Sequence, residues 1–262
     1  MTSRIPDLPD LLDRLAAEGA TGALHGHVGA LYLADGAVVH AESPAVPDVG
    51  RRLTAGGRLT PEAWQEAVAE GGPGYRAGSY LVEHGRLSRG ELELCHLSAL
   101  FDAAYFLLCP LDGAGRLPDR FLKEARHWLG PVRPVPVPLL RREVRRRRGL
   151  LERAWPCPQV DAAPVVPVPA RAAGRPGPGS AVGPRGRRAV LEAADGVRTP
   201  VQIAGTLGRS AFATLLDVRR LAAAGLVRTP EAGSPAPRAP RSAAAVTDVA
   251  LLHRIRDALE AL

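Results

Sequence analysis

Aromatic side chains make up only 4% of this chain, and lysine is almost absent, Lys123 standing alone. A core must therefore come from aliphatic residues and alanine, and a hydrophobic content of 46% over 262 residues can supply one. The shortage of lysine also weakens what the net charge of +7 says about partners, because codon bias accounts for part of so large an arginine count. Cysteine is scarce and odd in number: Cys95, Cys109 and Cys157 include no CxxC pair, which argues against a disulfide framework or a structural zinc site and for free thiols. No apolar run reaches 18 residues, and the first 20 residues are acidic rather than basic and then apolar, so a soluble cytoplasmic protein without membrane association is expected. GxSxG, GxxxxGK(S/T) and a strand-borne GxGxxG are all missing, so neither an enzyme nor a cofactor is expected.

What is present is unevenly distributed. Residues 1–130 hold 12 basic and 17 acidic side chains, whereas 131–262 hold 22 and 10. A basic C-terminal half points to a polyanion such as DNA, or to the acidic half of the same chain.

The organisation predicts an α+β protein. Leu8, Leu11, Leu12 and Leu15 recur at helical spacing and stop at Gly19, the mark of a docking helix. In HGHVGALYLADGAVVHAES, Asp35-Gly36 joins two apolar runs as a tight hairpin within a β-meander. A repeat follows: Gly50-x-x-Leu53-x-x-x-Gly57-Arg58-Leu59-Thr60 returns as Gly78-x-x-Leu81-x-x-x-Gly85-Arg86-Leu87-Ser88. Each copy predicts a short helix or extended run, a glycine turn, a buried leucine and an N-cap, with Trp64 and Leu92 equivalent in a helical annex and Ser88-x-x-Glu91 a capping box. The second helix continues through Leu94, Leu97, Leu100 and Ala104 to Leu107. The meander ending in G.LYLADG.VVHAES and the paired G..L...GRL(T/S) units resemble the PATAN family of bacterial signalling domains over about residues 5–125. The resemblance implies an interaction module at residues 1–130, joined in its relatives to response-regulator, GTPase-related or winged-helix partners.

Residues 131–155 hold LRREVRRRR, six arginines in eight positions, on a predicted helix whose Leu140, Val144, Leu151 and Trp155 form a buried edge. Residues 156–184 carry eight prolines and four glycines in 29 positions and read as a semi-extended linker. Cys157 is expected to be exposed at its start. Residues 185–230 spell three short helices. Val190, Leu191 and Ala194 precede the Asp195-Gly196 stop, Thr199-Pro200 opens a helix that ends at Gly208, and Ser210 caps a third. On that third helix Phe212, Leu215, Val218, Leu221 and Ala222 share a face, and Gly225 precedes a wing strand at Leu226-Val227. This order resembles the winged helix-turn-helix domains of bacterial regulators, including the multiple-antibiotic-resistance type. A final amphipathic helix at 247–262 (Val249, Leu252, Ile255, Leu259, Leu262) needs a partner, either the winged helix or a second copy in a homodimer.

The candidate DNA contacts are Arg198, Thr199, Arg209, Ser210, Thr214, Arg219, Arg220 and Arg228 on the winged helix and Arg145, Arg146, Arg147 and Arg148 on the arginine helix, serving phosphates more than bases. Asp217, on the outward face of the third helix, opposes that use. His25, His27 and His40 lie in the meander without a carboxylate or thiolate at ligand spacing, so no metal is expected. Cys95 and His96 are adjacent on a helix and point apart, which disfavours a nucleophile–base pair. The chain reads as a DNA-binding transcriptional regulator with a signal-receiving N-terminal domain. The alternative is a signalling adaptor, for instance in a small-GTPase switch system, whose winged helix and arginine helix bind protein and leave DNA alone; a protein partner is also expected through the N-terminal domain or the C-terminal helix.

Overall fold

Asp35 and Gly36 both take positive φ, 50° and 77°, the geometry that turns two strands back on each other within two residues. The computed structural model, which describes residues 8–26, 28–109, 120–168 and 185–228, opens with helix α1 (Leu8–Ala17) and the expected meander. Its strands β1 (Gly22–Gly26), β2 (Gly29–Ala34) and β3 (Ala37–Glu42) pair antiparallel. Leu12 and Leu15 of α1 pack onto Leu24, Leu31, Leu33 and Val38 of the strands. Pairing of β2 with β3 slips between Tyr32, opposite His40, and Leu33, opposite Val38. Val39 is the extra residue of this bulge, and its carbonyl is left for a partner outside the ladder.

The repeat builds the annex. Helix α2 (Val49–Ala55) and helix α4 (Ala77–Glu83) each lead into a glycine at positive φ, Gly57 at 67° and Gly85 at 64°. Buried Leu59 and Leu87 follow, and then Thr60 and Ser88 cap helices α3 (Pro61–Gly71) and α5 (Arg89–Leu108). The equivalence of Trp64 and Leu92 is visible in what touches the first glycine of each copy. A Cβ on Gly50 would lie 2.3 Å from the Trp64 ring, and one on Gly78 would lie 3.3 Å from Leu92 Cδ2. Gly50→Ala is therefore expected to lower stability by about 1–3 kcal/mol through overpacking, while Gly90→Ala, with open space around its helical site, should raise it by roughly 0.5–1 kcal/mol. Thermal melts of the two variants, moving in opposite directions, check the pair. Leu94 departs from the expected stripe on α5 and is 73% exposed, because the turn that carries it faces away from both the sheet and the annex.

Strands β4 (Arg120–Lys123) and β5 (Val135–Pro136) complete an antiparallel sheet in the order β4-β1-β2-β3-β5. Helix α6 (Val137–Ala154) follows, then helix α7 (Gln159–Ala162) and strand β6 (Val166–Pro167). The proline-rich stretch is thus folded over residues 156–168 rather than extended as a linker. Val160 and Val165 are buried among Val190, Ile203, Val218 and Leu221. Backbone bonds tie Val165 to Arg198 and Gly196 on one side and Val168 to Leu226 on the other. Apolar valines between the prolines drive this docking, and the proline count concealed them. Residues 169–184 lie outside the described residues.

The three short helices and the strand after them fall where the capping residues place them: α8 (Arg185–Ala193), α9 (Pro200–Leu207), α10 (Ala211–Ala223) and β7 (Val227–Arg228), which pairs with β6. Thr199 and Gln202 form a full capping box on α9, and Ser210 Oγ accepts the Ala213 N–H on α10. The protein is α+β, with the antiparallel sheet in its first part and mainly helices after it. All described residues fall within one compact unit, and none of their helices is long and apolar enough to cross a membrane. The helix expected at 247–262 lies outside the described residues.

Candidate functional site

The apolar stripe of α6 runs Leu140, Val144, Leu151, with Arg147 at the turn between the last two and only 8% exposed. Helical spacing points this arginine inward, and what it meets is Asp102 of α5, fully buried, at 2.6 Å. Asp102 also accepts 2.5 Å and 3.1 Å bonds from Arg52 of α2 and Ser210, the N-cap of α10, and the Phe212 N–H approaches it at 3.4 Å. Arg52 is further held by the Pro47 carbonyl and Ser98 Oγ, and Arg147 by Glu143. The Arg147 guanidinium lies 4.6 Å from the centroid of the Phe212 ring. Around this polar knot Tyr105 and Phe106 of α5, Val144 and Leu151 of α6, and Ala211, Phe212 and Leu215 of α10 make one core. Helices α5 and α6 and helix α10 therefore share an interior.

This arrangement sorts the candidate DNA contacts. Arg147, Arg219 and Thr214 are buried and are withdrawn from any interface. Arg219 makes a two-pronged ion pair with Asp161 (2.8 and 2.5 Å) and bonds the Trp155 carbonyl, while the Thr214 hydroxyl donates to the Ser210 carbonyl. Ser210 and Thr199 serve as helix caps. Arg209 bonds the Gly186 carbonyl and Asp217, Arg198 pairs with Asp195, Arg146 with Glu143, and Arg148 with Glu152. Arg145, Arg220 and Arg228 are exposed. Asp217 does not sit on an open face: Arg209 at 3.1 Å and Arg187 at 3.9 Å enclose it, so its charge holds α8 to α10.

A second cluster lies on the sheet. Glu42 of β3 takes the Tyr32 hydroxyl at 3.3 Å on Oε2 and His127 Nε2 at 2.7 Å on Oε1. The Leu129 N–H points at His127 Nδ1 (3.2 Å), which places the ring proton on Nε2. His40, two residues before Glu42 and on the same side of the strand, stacks on His127 with centroids 3.6 Å apart and on His96 at 5.4 Å. His96 reaches the carbonyl that the bulge freed, Val39 O, at 2.9 Å. Burial, reinforced by the neighbouring imidazoles, holds His40 well below its ordinary range, and burial pushes His96 down to about 4. Burial alone would raise Glu42, but the hydrogen bonds from His127 and Tyr32 outweigh it and lower it.

No protein-family model, curated protein or solved structure matches the chain.

Of the three histidines that the sequence places in the meander, His40 enters this cluster. His25 stands edge-on to Tyr32, and His27 lies outside the described residues. His96 and His127 come from positions 56 and 87 residues after His40, which no local spacing links to it, whereas Glu42, two residues on along β3, was the one local signal of a carboxylate beside it. Cys95 and His96 do diverge: Cys95 Sγ faces the Val49 carbonyl of α2 while His96 faces the sheet. Burial pushes the Cys95 thiol up, which disfavours the thiolate. Cys95 and Cys109 are half-buried and Cys157 is exposed, all three free.

Proposed function

We propose that this chain is a cytoplasmic signalling adaptor whose winged-helix unit is a protein-docking module, engaged here by the chain's own PATAN-like domain, and that its third helix does not read DNA. One observation carries the proposal: α10 is covered on both flanks. Ala211, Phe212 and Leu215 enter the core shared with α5 and α6, and Val218 and Leu221 enter the core shared with α7 and α8. A recognition helix must send side chains into the major groove, and α10 offers only Arg220, Ala223 and Ala224 near its C-terminal end as fully exposed positions.

Selection from a pool of random duplexes, followed by anisotropy titration of the full chain, tests this. The expected result is weak binding that falls steeply between about 50 and 200 mM salt and enriches no sequence, as for arginine–phosphate contacts alone. Amides of α10 should be protected from hydrogen exchange equally with and without DNA. Enrichment of one sequence bound at nanomolar affinity would overturn the adaptor reading in favour of a transcriptional regulator.

A further inference from the structure

We propose that His40, Glu42 and His127 form a binding site for a divalent transition-metal ion of the zinc class. One ligand atom from each of the three lies within 4.8 Å of the others, so that turning the stacked His40 and His127 rings toward each other brings all three around one ion. Two imidazoles and a carboxylate are a donor set that zinc accepts with its fourth position open. The carboxylate is already oriented: Tyr32 holds Oε2, so Oε1 is turned toward His127 at 2.7 Å and His40 at 3.9 Å. His40 supplies the independent sign of a missing group. It is 4% exposed, and its Nδ1 has no hydrogen-bond partner among the described residues. An ion reaches the cluster past Glu42, whose side chain is 40% exposed.

Coordination through His127 Nε2 moves that ring's proton to Nδ1, since a neutral imidazole carries one proton and the ion takes the other nitrogen. The 2.7 Å hydrogen bond from Nε2 to Glu42 is exchanged for an ion held between the same two atoms, and the 3.2 Å contact with the Leu129 N–H is given up, against coordinate bonds to three side chains.

The test uses the full chain stripped with a chelator and titrated with Zn(II), followed by thermal melting, with Co(II) as a spectroscopic probe. One equivalent should bind, raise the melting temperature and give a Co(II) spectrum of nitrogen and oxygen ligands without the thiolate charge-transfer band. His127→Gln and Glu42→Gln should weaken binding at least 100-fold, and Tyr32→Phe, which removes only the orienting hydroxyl, about 10-fold. His84→Gln and Cys157→Ser, both outside the cluster, should bind as the parent does. Absence of uptake overturns the proposal, as does uptake of equal strength in Tyr32→Phe and a folded His127→Gln. Should His127→Gln fail to fold, Tyr32→Phe and the Co(II) spectrum decide.

Discussion

Replacing Asp102 by alanine is expected to lower the stability of the chain by about 3–5 kcal/mol, read as a shift of the urea midpoint. The size follows from what stays behind. Arg147 keeps Glu143, but Arg52, with a side chain 6% exposed, keeps only the neutral Pro47 carbonyl and Ser98 hydroxyl. A guanidinium stripped of both water and its carboxylate is the expensive species, more so than the loss of any one bond. The same reasoning sets a counter-test. Changing the group together, Arg52→Met, Asp102→Leu and Arg147→Met, removes the three buried charges at once, leaves Glu143 paired with Arg146, and should recover most of the loss, since a buried ion network replaced by apolar groups of similar volume is often neutral or better. A midpoint for Asp102→Ala within about 0.5 kcal/mol of the parent, the range of ordinary surface changes, would show that the network is not buried in solution.

Arg219→Ala should cost about as much, roughly 3–5 kcal/mol, but in a different place. The partner it abandons is Asp161, whose side chain is 4% exposed and which sits in the short helix α7 within the proline-rich stretch. Hydrogen exchange should therefore show faster amides at 160–168 and 226–228, with β1 to β3 unchanged. Were residues 156–168 a linker, Asp161 would be solvated and the substitution would move stability by less than about 0.5 kcal/mol. Proteolysis reads the same contrast, since cleavage within 156–168 should require the variant.

The elements whose signals are local were readable from the residues. The Asp35-Gly36 hairpin, the two G..L...GRL units and the Thr199 and Ser210 caps each depend on neighbours a few positions away, and each occurs where its pattern lies. What escaped depends on long-range burial. The seven-residue gap between Val144 and Leu151 in an otherwise regular stripe was the trace of Arg147 facing inward, and the lone acid in the apolar run Leu100–Leu108 was the trace of its partner. Charge composition points to solvent or phosphate because it carries no information on where a compensating charge will arrive. Val160 and Val165 were masked by prolines that restrict the backbone yet leave the chain free to dock. The histidine cluster escaped for a related reason: the bulge at Val39 and the positions of His96 and His127 arise only when α5 and the residues after β4 pack against the sheet.

The partners of Asp102 have a timetable. Arg52 precedes it by 50 positions and Arg147 follows it by 45, but Ser210 follows by 108. At about 5–20 residues per second of synthesis, the stretch from Arg147 to Ser210 takes roughly 3–13 s to emerge. During that interval the carboxylate already has both its arginines, while Tyr105, Phe106 and Val144 still lack Phe212 and Leu215 to cover them. A ribosome that stalls in this interval, or a chain cut short of α9, presents an apolar platform to its surroundings. Such a product is a client for chaperones, and the arrival of α10 is what removes the hazard.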